Sequence, residues 1–524
     1  MKYFGWIFLF FVLIYILPLG SRPLMLIEYP FSETAREMVI SRDYVTPKLR
    51  GGSRLEAPAP AYYPAAKSIQ LFGKNGFSVR FPGALAAGIT ALFIWILMQQ
   101  TLRDEKLAAL AAIIYLSFSA VFLSGTFASE ASLYAMLVVG GCGTMFSAMQ
   151  EEKLNRRKIL NIILSGAFIG LAFLVGGFKG IIIPAAAGIV YMIWDRKLKQ
   201  LPVILIFTLL LAGAVILPWA LAINRAEPGF WRYFVMEVTR DEFGLKGCAP
   251  WYLPFAFFVF GAFPAALLIP AAGVVGKEAW KGFLRQPLYR FAFCFLLPVL
   301  VLSAFNRSWN VMPVLPAFAP LAVLIAAGVR YYFNSGGHHR SYNWMMTVWG
   351  AFLLLAGAGL AACNFIRPAV LFMVPLSWLF YPVVGGALIF AGAVMVYSVT
   401  GNWRGRLYLF FFGIGLVMFF LPWFFRGNFL MPGEVLSGIR EQYDTKTASF
   451  PVVCETVPLA NAAAWELERS NVWCGNIEGY TGKVLKIDRK YRFFQSGNFD
   501  LNVAMYNNIP AVPAEKPRTA PSEQ

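Results

Sequence analysis

Apolar residues run along this chain in long stretches broken by short polar interruptions. A helix needs about 20 mostly apolar residues to cross the hydrocarbon core of a bilayer. Stretches of that kind fall near 4–20, 82–100, 107–124, 130–148, 159–175, 178–194, 201–223, 250–275, 290–305, 310–329, 344–363, 372–397 and 407–425. The pattern predicts an α-helical polytopic membrane protein with 13 transmembrane helices. The first stretch has no small-x-small cleavage site before the polar segment, so an uncleaved first helix is expected rather than a signal peptide. After residue 425 the period shortens. Pro451-Val452-Val453-Cys454 and Val484-Leu485-Lys486-Ile487 read as strands around a helical Pro458–Arg469, a small α/β pattern.

Composition agrees with the membrane reading. Of 524 residues, 58% are hydrophobic and 14% charged, against about 45–50% and about 25% in an average soluble domain. A single soluble core stops growing near ~250–300 residues, so the apolar excess belongs in lipid. The expected organisation is a transmembrane domain over 1–425 with outer loops 21–81 and 224–249, an α/β domain over 426–508, and a Pro-rich polar tail over 509–524 that reads as disordered.

The net charge of +18 first suggests nucleic acid, but its distribution says otherwise. Alternate connections carry Lys2, Arg103, Lys106, Lys153, Arg156, Arg157, Lys158 and eleven further Lys or Arg up to Arg406, with few acids among them. The other short connections are nearly bare of charge. This asymmetry predicts a cytoplasmic N-terminus and a C-terminal domain outside the membrane, which is periplasmic in a bacterial inner-membrane protein. No convincing internal repeat supports a carrier, and buried charges within spans are too few for a transport path. The two histidines, His338 and His339, are adjacent in a cytoplasmic connection, which excludes a His-rich metal site.

The outer loop 21–81 breaks the charge rule, with nine Lys or Arg against five Asp or Glu. Glu33, Arg36 and Glu37 stand at helical spacing, and Glu33 and Arg36 can pair across one turn. Arg54, Glu56 and Pro58, followed by Tyr62 and Tyr63, fit an amphipathic helix lying on the membrane. A basic, aromatic surface there suits phosphate-bearing lipids, which arginine binds in bidentate fashion. A solvated helix that touches headgroups nonspecifically would carry the same residues. Cys454 and Cys474 share the outer domain, where a structural disulfide between them is permitted.

Several motifs, taken in order, carry a resemblance. These are Ala35-Arg36-Glu37-Met38 with Asp43-Tyr44-Val45-Thr46-Pro47-Lys48-Leu49, Leu71-Phe72-Gly73 with Ser78-Val79-Arg80-Phe81-Pro82, Leu217-Pro218-Trp219, Glu227-Pro228-Gly229-Phe230-Trp231, and Val457-Pro458-Leu459-Ala460-Asn461 up to Trp465. Over essentially its whole length the chain resembles the family of 4-amino-4-deoxy-L-arabinose lipid A transferase (ArnT) and the related protein O-mannosyltransferases. The resemblance implies a GT-C fold and a glycosyltransferase that takes a sugar or aminosugar from a polyprenyl phosphate to a lipid A-like or other lipopolysaccharide or envelope acceptor.

The sequence departs from the family where that reaction happens. The family's Pro-Asp-Glu motif places its expected catalytic Asp at Ile27, while Glu28 and Glu33 match family glutamates. Leu55-Glu56-Ala57-Pro58 keeps the family Glu and lacks its phosphate-binding Lys. Val175-Gly176-Gly177-Phe178 lacks another Lys, with Lys179 nearby; Ala131 stands for a second Asp, beside Glu130. Arg240 and Arg307 lie in motifs that have lost a His and two lysines. Transfer needs a carboxylate to take or orient the acceptor's proton and cations to stabilise the departing phosphate. The catalytic candidates are therefore Glu28, Glu33 and Glu130, and the substrate-binding candidates Arg36, Arg54, Glu56, Tyr62, Lys179, Arg240 and Arg307. No cofactor is demanded, although carboxylates alone could hold a divalent metal ion. The alternative is a catalytically degenerate relative that binds polyprenyl phosphate or lipid A without transfer.

Overall fold

The computed structural model describes residues 2–238, 250–269, 282–305, 312–334, 340–363, 380–397, 403–424, 436, 452–454, 456–470, 472–474 and 485–487. Among these, seven helices are long and apolar enough to cross a membrane: Gly76–Leu102, Ala131–Gln150, Arg156–Gly176, Leu198–Ala226, Pro287–Ala304, Met312–Tyr331 and Asn343–Ala362. Shorter apolar helices cover Tyr3–Ile16, Lys179–Trp194, Pro382–Tyr397 and Leu407–Phe420. The chain is a polytopic helical membrane protein, as the apolar runs predict.

The first half of the chain positions the site. Its elements are α1 (Lys2–Phe11), α2 (Tyr29–Ser41), a hairpin β1 (Lys48–Leu49) and β2 (Gly52–Ser53), a 3-10 turn at Ala59–Tyr62, α3 (Tyr63–Phe72) and α4 (Gly76–Leu102). Then come α5 (Glu105–Leu116), α6 (Ser119–Thr126), α7 (Ala131–Gln150), α8 (Arg156–Gly176), α9 (Lys179–Trp194) and α10 (Leu201–Ala226). Helix α4 starts six residues before the predicted span. Asn75 and Ser78 form a reciprocal capping box there, and the helix runs on through Pro82, which gives up only one backbone donor.

The predicted span at 107–124 is two helices rather than one. Ser117 turns its hydroxyl back onto the Ile113 carbonyl at 2.7 Å, and Phe118 adopts an extended backbone that bridges to Pro264. The Ser119 amide then donates to the Phe263 carbonyl at 2.9 Å. Irregular backbone at membrane depth survives only where protein satisfies it, and here the 263–264 turn does so. The predicted span at 250–275 is described only as far as 269, with a helix at Leu253–Gly261 and a 3-10 turn at Ala265–Leu268.

Loop 21–81 folds into a cap, and its residues 54–63, expected as a surface helix, follow β2 into a 3-10 turn at Ala59–Tyr62 and the start of α3. Gly51 at φ +77 and Arg50 at φ +54 close the β1–β2 hairpin, the mirror-image turn that suits a two-residue hairpin. The Gly51 amide donates to both Glu37 carboxylate oxygens at 3.1 Å, tying the hairpin to α2. Trp219 Nε1 on α10 donates to the Val45 carbonyl at 3.3 Å, and Ser53 Oγ to Glu227 Oε1 at 2.9 Å.

Beyond the last described span, the described residues form three short strands and one helix, including a strand at 472–474 that the sequence reading did not name. Strands β3 (Val452–Cys454), β4 (Val472–Cys474) and β5 (Leu485–Ile487) form a parallel sheet in the order β4-β3-β5, and helix Val457–Leu467 makes the crossover from β3 to β4. That helix packs on α2 of the cap, burying Ala460, Ala463 and Ala464.

Candidate functional site

Glu28 ends the turn that leads into α2 and is 0% exposed. Its Oε1 accepts from Arg80 Nε at 2.7 Å and from the Ala128 amide at 2.9 Å. Its Oε2 accepts from Arg22 Nη1 at 3.0 Å, Arg80 Nη2 at 2.8 Å and the Met25 amide at 2.8 Å. Burial alone would raise this carboxyl, but Arg80, Arg22 and the Met25 amide outweigh it and hold it down at about 2. A carboxylate with five donors on its two oxygens is a weak proton acceptor. The geometry gives Glu28 a holding part in place of the catalytic one expected.

Glu33 and Arg36 pair as the sequence allows. The guanidinium meets the carboxylate as a fork, with Nε to Oε2 at 2.7 Å and Nη2 to Oε1 at 2.6 Å. Burial pushes Glu33 up to about 7 even so, because this one fork only partly replaces lost hydration. Lys74 and Glu468 act electrostatically on this pair, and Tyr29, one turn before Glu33, donates to Glu466. Glu33 and Arg36 therefore belong to the junction of the cap with the C-terminal domain.

The remaining described candidates converge elsewhere. Arg54 Nη1 donates to the Pro30 carbonyl at 3.0 Å and to Thr34 Oγ1 at 3.2 Å, on a different side of α2. Its Nε lies 3.6 Å from Glu56 Oε2, and its guanidinium sits 5.7 Å from the centroid of the Tyr62 ring. Tyr62 is 2% exposed and packs on Phe31. Glu130, immediately before α7, acts electrostatically on both Arg54 and Tyr62. Burial would lower the Arg54 guanidinium, but Tyr62, Glu130 and Glu56 together raise it, so it stays charged. Burial raises the Tyr62 phenol, which keeps it a neutral hydrogen-bonding and stacking group.

Lys179 opens α9 and is 6% exposed. The 3-10 turn at Ala59–Tyr62 packs on α8, whose last residue, Gly176, lies against the Tyr134 ring and the Met312 methyl. A Cβ there would stand 2.3 Å from Tyr134 Cδ2, so the close approach of α7 and α8 requires glycine. Tyr134 is one turn along from Glu130, its amide donating to the Glu130 carbonyl at 2.9 Å. Phe178, the residue before Lys179, packs in an aromatic group with Phe173, Phe230 and Phe234.

Four candidates thus come together, with Glu56 and Glu130 acting around Arg54 and Tyr62, while Lys179 stands at the start of α9. Arg240 and Arg307 lie outside the described residues. The sequence reading missed Arg22 and Arg80. The signal that could have found them is an arginine on an otherwise apolar stretch, which is seldom buried without a partner. Among the described residues no group of three or more His, Cys, Asp or Glu side chains is placed to hold a metal ion. Cys454 and Cys474 stand opposite one another on β3 and β4 as thiols, with no disulfide joining them.

Residues 56–221 match the family model described as dolichyl-phosphate-mannose-protein mannosyltransferase. The chain is 29% identical over 487 residues to the undecaprenyl phosphate-alpha-4-amino-4-deoxy-L-arabinose arabinosyl transferase 1 of Sodalis glossinidius, covering 89% of this chain and 84% of that one. It is 32% identical over 367 residues to the corresponding transferase of Aeromonas salmonicida, covering 67% and 65%. Among solved structures it is similar to ArnT from Cupriavidus metallidurans bound to undecaprenyl phosphate, with a TM-score of 0.71, 16% identity, and 90% and 86% of the two chains covered.

Proposed function

The chain belongs to the ArnT-like family of GT-C glycosyltransferases, multi-pass proteins of the bacterial inner membrane, and on that premise we propose which of its residues carry the transfer. It moves a sugar or aminosugar from an undecaprenyl-phosphate donor to lipid A or a similar envelope acceptor. The acceptor oxygen attacks the sugar's anomeric carbon, the bond to the phosphate breaks, and the polyprenyl phosphate leaves with the negative charge. The N-terminus is cytoplasmic, so the cap and the C-terminal domain are periplasmic, where the basic loops on the opposite side leave them.

The observation that carries the reading is the grouping of Arg54, Glu56 and Tyr62 of the cap with Glu130 before α7. Arg54 and Lys179 stabilise charge developing on the phosphate. Glu130 takes or orients the acceptor's proton. Glu56 and the Thr34 hydroxyl steer the Arg54 fork, and Tyr62 gives the guanidinium and the sugar an aromatic wall.

A second reading has its own support. Ile27 stands where the resemblance expects the family's aspartate and is 66% exposed, and its neighbour Glu28 is fully engaged. In that reading the chain binds polyprenyl phosphate without transfer. Purified protein incubated with undecaprenyl-phosphate-linked 4-amino-4-deoxy-L-arabinose and lipid A, alongside Glu130→Gln, separates the two. Turnover lost in Glu130→Gln supports transfer; tight donor binding with no product from the wild type establishes the binder.

A further inference from the structure

Thr126, Phe127 and Ala128 connect α6 to the bend that ends on Glu130, and each is gripped by the same buried cluster. Arg22 Nη2 donates to the Thr126 carbonyl at 3.1 Å. The Arg22 guanidinium lies 4.4 Å from the centroid of the Phe127 ring. The Ala128 amide donates to Glu28 Oε1 at 2.9 Å. Behind these contacts stands Arg80, 0% exposed. It forks onto Glu28 and spends its remaining donors on the carbonyls of Leu19, Arg22 and Pro23 at 2.8–2.9 Å. Only Ser129 separates this grip from Glu130, whose own carbonyl is held on the far side by the Tyr134 amide.

We infer that the Arg22–Glu28–Arg80 cluster is a positioning device for Glu130, setting the backbone from which that carboxylate reaches the acceptor. The inference rests on Glu130 being the proton-handling group. Two physical arguments favour positioning over simple cohesion. Burying three ionised groups costs desolvation that an apolar core of the same volume avoids, so such a cluster is a poor choice for stability alone. Toward the bend, Arg22 Nη2, the face of the Arg22 guanidinium and Glu28 Oε1 hold three consecutive residues, while Arg80 anchors the cluster to the carbonyls of residues 19–23. Arg80 fixes Glu28, Glu28 and Arg22 fix residues 126–128, and the bend presents Glu130 in one orientation. A catalytic group must be held within roughly 0.5 Å of its productive place, which a loop without such anchors does not provide.

The test uses the full chain in nanodiscs with Arg22→Met and Arg22→Lys. Arg22→Met keeps the volume and leaves Glu28 paired with Arg80. It is expected to lower kcat at least tenfold with KM for the undecaprenyl-phosphate sugar within twofold. Hydrogen exchange in a peptide covering 126–131 should accelerate at least tenfold, while a peptide from α3 is unchanged. Arg22→Lys keeps the charge toward Glu28 but lacks the fork, and should recover part of both losses. Unchanged exchange at 126–131, or a kcat per folded molecule equal to wild type, overturns the inference. So does activity that falls only in step with folded yield. If the wild type turns over no donor, the transfer reading fails by itself, and the exchange measurement alone decides the positioning.

Discussion

The Tyr29 hydroxyl donates to Glu466 Oε1 at 2.9 Å, joining residues 437 positions apart. Beside it Lys74 Nζ donates to the Trp465 carbonyl at 2.8 Å, pairs with Glu468 at 3.0 Å and lies 5.3 Å from the Trp465 ring centroid. These contacts seat the C-terminal helix on the cap. Tyr29→Phe deletes the one donor that Glu466 takes from α2. It is expected to destabilise the junction by about 1.5–3 kcal/mol, the range for a hydrogen bond to a charged group. Limited proteolysis should release the C-terminal domain faster from Tyr29→Phe than from wild type, with the transmembrane fragment intact.

Two buried glutamates give opposite pH dependences. Glu28, held at about 2, has a folded value below its ordinary 4.5. Its stabilisation is present above pH 4.5 and is lost as pH falls through 4.5 toward 2, amounting to about 3 kcal/mol at most. Glu33, raised to about 7, binds its proton more tightly when folded. Its term favours the folded state below pH 4.5 and is lost as pH rises from 4.5 to 7. Thermal unfolding from pH 3 to 8 should therefore lose its acid-side slope in Glu28→Gln. Glu33→Gln should flatten the decline between pH 4.5 and 7.

Arg54 and Glu130 are expected to fail in different ways. Arg54→Met removes a charge from the phosphate and should lower kcat/KM about 100-fold, with weaker binding of undecaprenyl phosphate itself. Glu130→Gln keeps the size and removes the proton acceptor. It should lower kcat about 100- to 10,000-fold with donor binding within threefold. Steady-state transfer assays together with equilibrium binding of undecaprenyl phosphate distinguish these patterns. Equal losses in both quantities for both variants contradict the assignment of roles.

Cys454 is buried and its thiol is pushed up to about 12, chiefly by burial. Cys474 is partly exposed on the neighbouring strand. Since thiolate is the reactive form, a maleimide at pH 7.5 should label Cys474 at least tenfold faster than Cys454. Mass spectrometry of the labelled peptides reads this directly. Equal rates would contradict the packing of β3 beneath the crossover helix.

Much of the architecture was legible because it rests on local, additive properties. The apolar runs found the long helices, and the runs at 451–454 and 484–487 with Pro458–Arg469 found two strands and the helix, while the strand Val472–Cys474 went unread. Where the reading went astray, backbone chemistry intervened. Residues 107–124 look like one span, yet Phe118 leaves the helix because the 263–264 turn offers it partners. Residues 54–63 look like a surface helix, yet Tyr62 goes inward to Phe31 and Arg54.

By itself, then, the sequence determined that this chain spans a membrane many times, that its basic residues gather in alternate connections, and that its motifs resemble those of the ArnT-like family in order. Those follow from transfer free energies summed over short windows and from motifs kept in order. The tertiary structure decided which charge meets which. Glu28 and Glu130 look alike as carboxylates near the outer surface, but Glu28 meets Arg80 from 52 positions away and Ala128 from 100. Glu130 instead acts electrostatically on Arg54 and Tyr62. A carboxylate's chemistry is set by the donors around it, and those arrive from distant elements only when the helices pack.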